Sequence, residues 1–343
     1  MTTRGWCPTV YAPMASGDGL LVRVKPPCSR LSPAQARALA DAAARDGNGA
    51  IELTGRGNLQ IRGLRAAGVP RFAGSMVAAG LAHPDAAVER RRTVLLAPLA
   101  DARMQRVALA LEEALAADAG LAALPAKFGF AVGVAAVRAD VYLLPQGAAW
   151  RVGRSAADAG ATDDPVAEAL RLAHGALARP ARAAAQPVVP PLVIGPLAGG
   201  FGVGLPFGAT DAATLAALAE CGTLWLTPWR VLVIEAAAPP APRDGLILDP
   251  ADPRLSAAAC AGRPACASAL ADTRADATWL ARQFPGLALH VSGCAKGCAH
   301  PAPAAATLVG RADGYALVRD GAAADPPCAT GLTRAAAAAL LAP

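Results

Sequence analysis

Four of the eight cysteines fall into two close pairs, Cys260-x5-Cys266 and Cys294-x3-Cys298. Each iron of a cubane cluster takes one thiolate, so two such pairs on separate loops can supply the four corners of a [4Fe–4S] unit. Gly293 and Gly297 let the backbone come close to the sulfurs, and amide N–H groups aimed at them would offset the cluster's negative charge. Zinc also accepts four thiolates, but structural zinc loops favour C-x2-C to C-x4-C spacing. Inert buried thiols are the third alternative. Cys7, Cys28, Cys221 and Cys328 show no pairing pattern and read as buried or incidental. Lys25, Lys127 and Lys296 are the only lysines among 32 basic residues, so a lysine in this arginine-biased chain is a candidate for a specific task. Lys296 lies between two of the paired cysteines, where its charge could stabilise thiolate or face solvent. His290 and His300 bracket the C-x3-C loop. His290 sits in an apolar strand and reads as a core residue; His300 precedes Pro301 and reads as a loop residue. Neither these nor His83 and His174 form a two-histidine-one-carboxylate spacing.

The elements that must hold these residues alternate along the chain. Ser32 caps a helix with Pro33 in its first turn and Gly47 past its end. Strands are expected at Leu20 to Val24, Ile51 to Leu53, Leu59 to Arg62 and Val94 to Ala97, and Asp101 caps a second helix. Phe130 to Val137 and Val141 to Leu144 read as a hairpin, and Asp164-Pro165 opens another helix. The order then restarts. Phe201 to Leu205, Thr223 to Leu226, Val231 to Ile234, Leu246 to Leu248, Leu287 to Val291 and Tyr315 to Val318 read as strands, with helices near Leu215 and Ala277. Leu53-Thr-Gly-Arg56 aligns with Leu226-Thr-Pro-Trp-Arg230, and Leu124-Pro125 with Phe284-Pro285. Two diverged copies of one α+β unit are therefore expected, leaving a cleft at their junction.

Composition excludes more than it selects. A chain of 343 residues with 54% hydrophobic content and mixed charge is neither disordered nor in need of a disulfide framework. The longest uncharged stretch, residues 183–210, is broken by prolines and glycines and is a linker entering a strand, not a membrane span. No charged n-region with an apolar h-region opens the sequence, so a reducing cytoplasm is the expected compartment. A net charge of +6 without a lysine-rich run points to an anionic ligand rather than to nucleic acid.

The C-x5-C and C-x3-C pairs do not stand alone. Thr54-Gly-Arg56-Gly-Asn-Leu-Gln60, Arg92-Thr-Val94 and Leu124-Pro-Ala-Lys127-Phe128 precede them, and this set, in this order, resembles the sulfite/nitrite reductase superfamily over nearly the whole chain. Within it, His290-Val-Ser-Gly-Cys-Ala-Lys-Gly-Cys-Ala-His300-Pro, Ser16-Gly-Asp-Gly-Leu-Leu-Val-Arg23 and Gly57-Asn-Leu-Gln-Ile-Arg-Gly63 are similar to the oxygen-using branch of aerobic cobalamin biosynthesis. The resemblance implies an α+β, internally duplicated fold around a pseudo-two-fold axis. Two ferredoxin-like half-domains (1–80 and 196–240) would alternate with a tetrapyrrole-binding half-domain (85–180) and an iron–sulfur half-domain (241–343), joined by a linker at 181–195. It implies a monomeric monooxygenase that hydroxylates precorrin-3A with O2 and an external electron donor such as NADH. It further implies that Cys260, Cys266, Cys294 and Cys298 bind the [4Fe–4S] cluster, and that a mononuclear non-haem iron is present as well.

A precorrin is a macrocycle edged with carboxylates, which arginine grips bidentately. Under this resemblance Arg56, Arg92 and Lys127 would converge on the central cleft, with Gln60 at the ligand edge and Arg230 as the pseudo-equivalent of Arg56. The alternatives are a sirohaem-dependent sulfite or nitrite reductase, with Cys298 bridging cluster and haem iron, and a non-catalytic electron-transfer or tetrapyrrole-binding protein. One departure bears on the choice. Where the reductases carry a second lysine after Lys127-Phe128, this chain has Gly129.

Overall fold

The computed structural model describes residues 7–178 and 193–342, so most of the expected linker lies outside the described residues. The chain forms two compact units. The first holds the chain to Met14, then Leu21–Val203 and Gly208–Leu246; the second holds Ala15–Leu20, Gly204–Phe207 and Ile247–Pro343.

The chain begins with strands β1 (Met14–Ser16) and β2 (Gly19–Val24), whose joining residues Ala15–Leu20 belong to the second unit, and the first unit continues with β3 (Arg30–Leu31), helix α1 (Pro33–Asp46), and strands β4 (Ala50–Leu53) and β5 (Leu59–Leu64). Helices α2 (Val69–Ala78) and α3 (Ala86–Arg91) lead to β6 (Val94–Leu96), α4 (Ala102–Ala117), β7 (Phe130–Val132), β8 (Val141–Gln146), β9 (Ala149–Gly153), β10 (Gly160–Thr162) and α5 (Pro165–Ala178). The opening pattern then recurs as β11 (Gly195–Leu197), β12 (Gly200–Gly204), β13 (Ala209–Asp211), α6 (Ala212–Ala219), β14 (Thr223–Leu226) and β15 (Val231–Glu235). The second unit repeats the later pattern as β16 (Ala257–Ala259), α7 (Thr273–Gln283), β17 (Leu289–Ser292), β18 (Ala304–Arg311), β19 (Gly314–Gly321), β20 (Ala329–Leu332) and α8 (Arg334–Leu341).

The duplication is visible in strand order. One sheet runs β1-β2-β5-β4-β13 and its counterpart β11-β12-β15-β14-β3. Each copy thus lends its short third strand to the other's sheet: Ala209 pairs with Glu52, and Leu31 with Leu224. The same left-handed residue precedes each exchange, Cys28 at φ 53° and Phe207 at φ 57°. The other two sheets, β10-β9-β8-β7-β6 and β16-β17-β18-β19-β20, share one plan of two parallel pairings followed by two antiparallel ones.

Helix starts follow their caps. Ser32 and Gln35 form a capping box on α1, while Asp101, Asp211, Asp272 and Thr333 cap α4, α6, α7 and α8 through side-chain oxygens. Two sequence expectations are corrected. The hairpin expected from Phe130 to Leu144 is a parallel pair, with Phe130 opposite Val141. Gly133, at φ 73°, turns the chain out of β7, and residues 133–140 must run back to the start of that strand before β8 can begin. The strand expected at Leu246 to Leu248 is only a single bridge between Ile247 and Gly204.

Candidate functional site

A narrow groove in the first unit is lined by Gly55, Arg56, Thr93, Gly129, Arg138 and Pro228 among others. Arg56 is carried by the turn between β4 and β5. Thr54 Oγ1 accepts from the Arg56 and Asn58 amides at 3.4 and 3.2 Å, and the Thr54 amide donates to Asn58 O at 2.8 Å. Gly57 sits at φ 64°, the left-handed conformation that favours glycine, and a Cβ there would press on Leu95 Cδ1 at 2.6 Å. Arg56 Nη1 donates to Lys127 O at 2.5 Å, which ties the turn to the strand start opposite. Burial lowers the Arg56 pKa, Cys7 and Asp140 oppose that shift, and the Arg23 guanidinium adds to it. The ammonium of Lys127 is exposed and has no ion-pair partner among the described residues. Gly129 follows Lys127 by two residues and lies beside Arg56. A Cβ there would meet Thr93 Cγ2 at 3.5 Å and Arg56 Nη1 at 3.9 Å, ordinary contacts, so the position would accept a small side chain and this chain has none.

The remaining expected ligand-binding residues are placed elsewhere. Arg92 is 8% exposed and is part of the interior. Its Nη2 donates to Lys25 O at 2.7 Å, Leu81 O at 3.2 Å and Glu89 Oε2 at 3.0 Å, and its Nη1 lies 3.6 Å from Glu112. It is therefore a structural counter-ion and not a cation presented to the groove. Gln60 donates from Nε2 to Glu52 Oε2 at 2.7 Å, its cross-strand neighbour, and does not face an open ligand edge as a free amide. Arg230 takes φ 63° just before β15, beside Gly208.

The paired cysteines lie in the second unit, after its two parallel strands. Cys260 follows β16, and Cys294 and Cys298 follow β17. The Gly293 amide donates to Cys260 Sγ at 3.2 Å, the arrangement expected of a thiolate-stabilising backbone. The four sulfurs are close enough to act on one another. Burial raises the Cys298 pKa, the charges of Cys294, Cys260 and Cys266 raise it further, and Lys296 lowers it. Lys296 itself donates to Ser268 Oγ at 3.1 Å. Among the described residues no three Cys, His, Asp or Glu side chains are gathered for a single metal ion. A cubane takes one thiolate on each of four irons, and the two cysteine loops supply that number. His290 and His300 meet edge to face, centroids 5.7 Å apart, and among the described residues no third ligand is gathered with them.

The structure adds a support for these loops that the sequence did not reveal. Ser16 Oγ and the Gly17 amide both donate to Ala265 O, at 2.7 and 3.2 Å. A Cβ on Gly17 would lie 2.6 Å from Pro264 O and 2.8 Å from Ala267 N, so only glycine lets the turn between β1 and β2 seat against the C-x5-C loop. The unpaired cysteines differ in setting. Cys7 and Cys28 are buried, with burial pushing the Cys28 pKa up to about 12, whereas Cys328 is exposed.

Residues 12–78 match the nitrite/sulfite reductase ferredoxin-like half domain. The structure of Mycobacterium tuberculosis NirA protein superimposes with a TM-score of 0.60, covering 85% of this chain and 71% of that one at 18% identity. With the doubled sheets, these define the class as the sulfite/nitrite reductase-like fold. A precorrin-3B synthase from Sinorhizobium sp is 34% identical over an alignment of 396 positions that spans 95% of this chain and 85% of the relative. The chain belongs to the precorrin-3B synthase family. Among the described residues no helix is long and apolar enough to cross a membrane.

Proposed function

We propose that the protein converts precorrin-3A to precorrin-3B by oxygen-dependent hydroxylation at a meso carbon, with a γ-lactone formed from a ring acetate. One atom of O2 enters the product hydroxyl, and the other leaves as water with two electrons and two protons drawn from an external donor such as NADH. Family membership sets the substrate, and the observation that favours hydroxylation over anion reduction is Gly129. Sulfite or nitrite reduction needs several protons fed to a bound anion, a task for dense cations. Here the position beside Arg56 carries no side chain at all, where a second lysine would add a cation.

Arg56 and Lys127 hold substrate carboxylates in this reading, with charge-assisted hydrogen bonds fixing the ring's orientation. Arg92 contributes by holding the strand start at Val94 against α3 through Glu89 and against α4 through Glu112. Cys260, Cys266, Cys294 and Cys298 would hold a [4Fe–4S] cluster, with Gly293 N–H already aimed at one sulfur. That cluster, when bound, supplies one-electron transfer from the donor. The test is anaerobic purification followed by turnover with precorrin-3A, donor and 18O2. Label in the product hydroxyl is expected, along with oxygen uptake only when substrate and donor are both present. Label from water would remove the monooxygenase step. Stoichiometric sirohaem bands with sulfite or nitrite turnover would replace this function with the reductase one.

A further inference from the structure

We propose that Arg138 is a second jaw lining the same groove as Arg56, and that together they clamp a peripheral carboxylate of the tetrapyrrole; this rests on the proposed function. Arg138 belongs to no motif in the sequence. It lies on residues 133–140, the segment that must run back along β7 because β7 and β8 are parallel.

That segment is held on every side. Val137 is 3% exposed and packs in an apolar cluster with Leu95 and Ala131, against Tyr142 and Trp229. Tyr142 Oη donates to Val137 O at 2.7 Å and accepts from the Ala139 amide at 3.1 Å. Trp229 Nε1 donates to Ala136 O at 3.1 Å. Asp140 Oδ2 accepts from the Gly129 amide at 3.0 Å, while the Asp140 amide returns a bond to Gly129 O at 2.7 Å. The backbone on both sides of Arg138 is thus fixed by hydrogen bonds and packing.

The side chain of Arg138, by contrast, is exposed and makes no hydrogen bond or ion pair among the described residues. The groove that it lines with Arg56 carries no acidic side chain. Asp140, the nearest acid in sequence, spends an oxygen on Gly129. A guanidinium with a fixed base and a free head, lining the same groove as a second one, is organised for an oxyanion, because little backbone entropy is lost on binding. A Cβ on Gly55 would meet nothing within 4 Å, so the groove is open on that side, and it is far too narrow for the macrocycle itself.

The experiment measures anaerobic affinity for precorrin-3A by tryptophan quenching in wild type, Arg138→Ala, Arg138→Lys and Arg56→Ala, with KM and kcat alongside. Loss of a charge-assisted contact should weaken binding by Arg138→Ala roughly ten- to hundredfold, mostly in KM. Arg138→Lys should recover part of that loss, since it restores charge without the fork. Iron content and thermal midpoint should match wild type. Unchanged affinity in Arg138→Ala with weakened binding in Arg56→Ala would overturn the clamp and leave the function standing. Failure of wild type to bind precorrin-3A would overturn both.

Discussion

The three lysines show what residue type alone can and cannot convey. All stand out in an arginine-rich chain, and the structure gives each a different setting: Lys127 exposed, with its carbonyl held by Arg56, Lys296 on Ser268, and Lys25 in the interior. Lys25 is 4% exposed and donates to Glu89 O and Arg90 O, both at 2.9 Å. Burial lowers its pKa to about 8, with Glu89 opposing and Arg92 and Arg23 assisting. The unfolded chain keeps that proton to about pH 10.4. Between these values the unfolded state binds more proton, so this group's contribution to stability rises with pH. Wild type should therefore gain about 2 kcal/mol on Lys25→Met between pH 8 and 10. Urea midpoints that differ by the same amount at both pH values would refute it. Arg92→Ala should cost about 3–5 kcal/mol, because it leaves Glu89 and Glu112 buried without their counter-ion. A loss under 1 kcal/mol would return Arg92 to the groove. From the sequence, Arg56 and Arg92 looked alike as motif arginines. What separates them is a set of acidic partners from α3 and α4 that meet Arg92 only after folding.

Elements were legible where their boundaries are local chemistry. The caps at Ser32, Asp101 and Asp164 mark helix starts because a side-chain oxygen satisfies an amide within three residues. The pairing of β7 with β8 was not legible, since two apolar runs joined by a short loop look the same whether they run parallel or antiparallel. Nor was β18, whose Ala304–Arg311 run gains its identity from two neighbouring strands rather than from strongly β-prone residues. The cysteine loops combine both cases. Their spacing was plain, but the seat of Gly17 on the C-x5-C loop depends on residues about 250 positions apart, as Ser16 and Ala265 are. Gly17→Ala should displace that loop and lower iron and sulfide content while the groove of the first unit keeps its ligand affinity. Cys294→Ala should abolish the brown colour, and Cys328→Ala should not. Full iron and sulfide in Cys294→Ala, with loss in Cys328→Ala, would reassign the ligands.

At the scale of the molecule, the duplication was readable as a repeated order of elements, but the exchange of strands between copies was not. β3 and β13 are two and three residues long, too short to register as strands in a pattern, and neither pairs within its own copy. Their exchange makes each ferredoxin-like sheet incomplete without the other. Residues 1–178 alone would leave β4 without β13, exposing an unpaired edge whose buried Ile51 and Leu53 face a sheet missing its last strand. In the same fragment β3 would have no β14 to join, and α1 would lose α6 as a packing partner. The side chains freed include the fully buried Leu31, which lies opposite Leu224, and burying a leucine contributes about 1.5–3 kcal/mol. A domain's whole stability is only about 5–15 kcal/mol, so losing one edge strand and one helix face removes most of it. We therefore expect residues 1–178 to be aggregated or non-cooperatively unfolding, and co-expression with residues 193–343 to restore a soluble pair. Size-exclusion chromatography and urea unfolding followed by circular dichroism decide this. A monomeric 1–178 fragment with a single sharp transition would show that each copy is self-sufficient and that the exchanged strands are ornament to the fold rather than its lock.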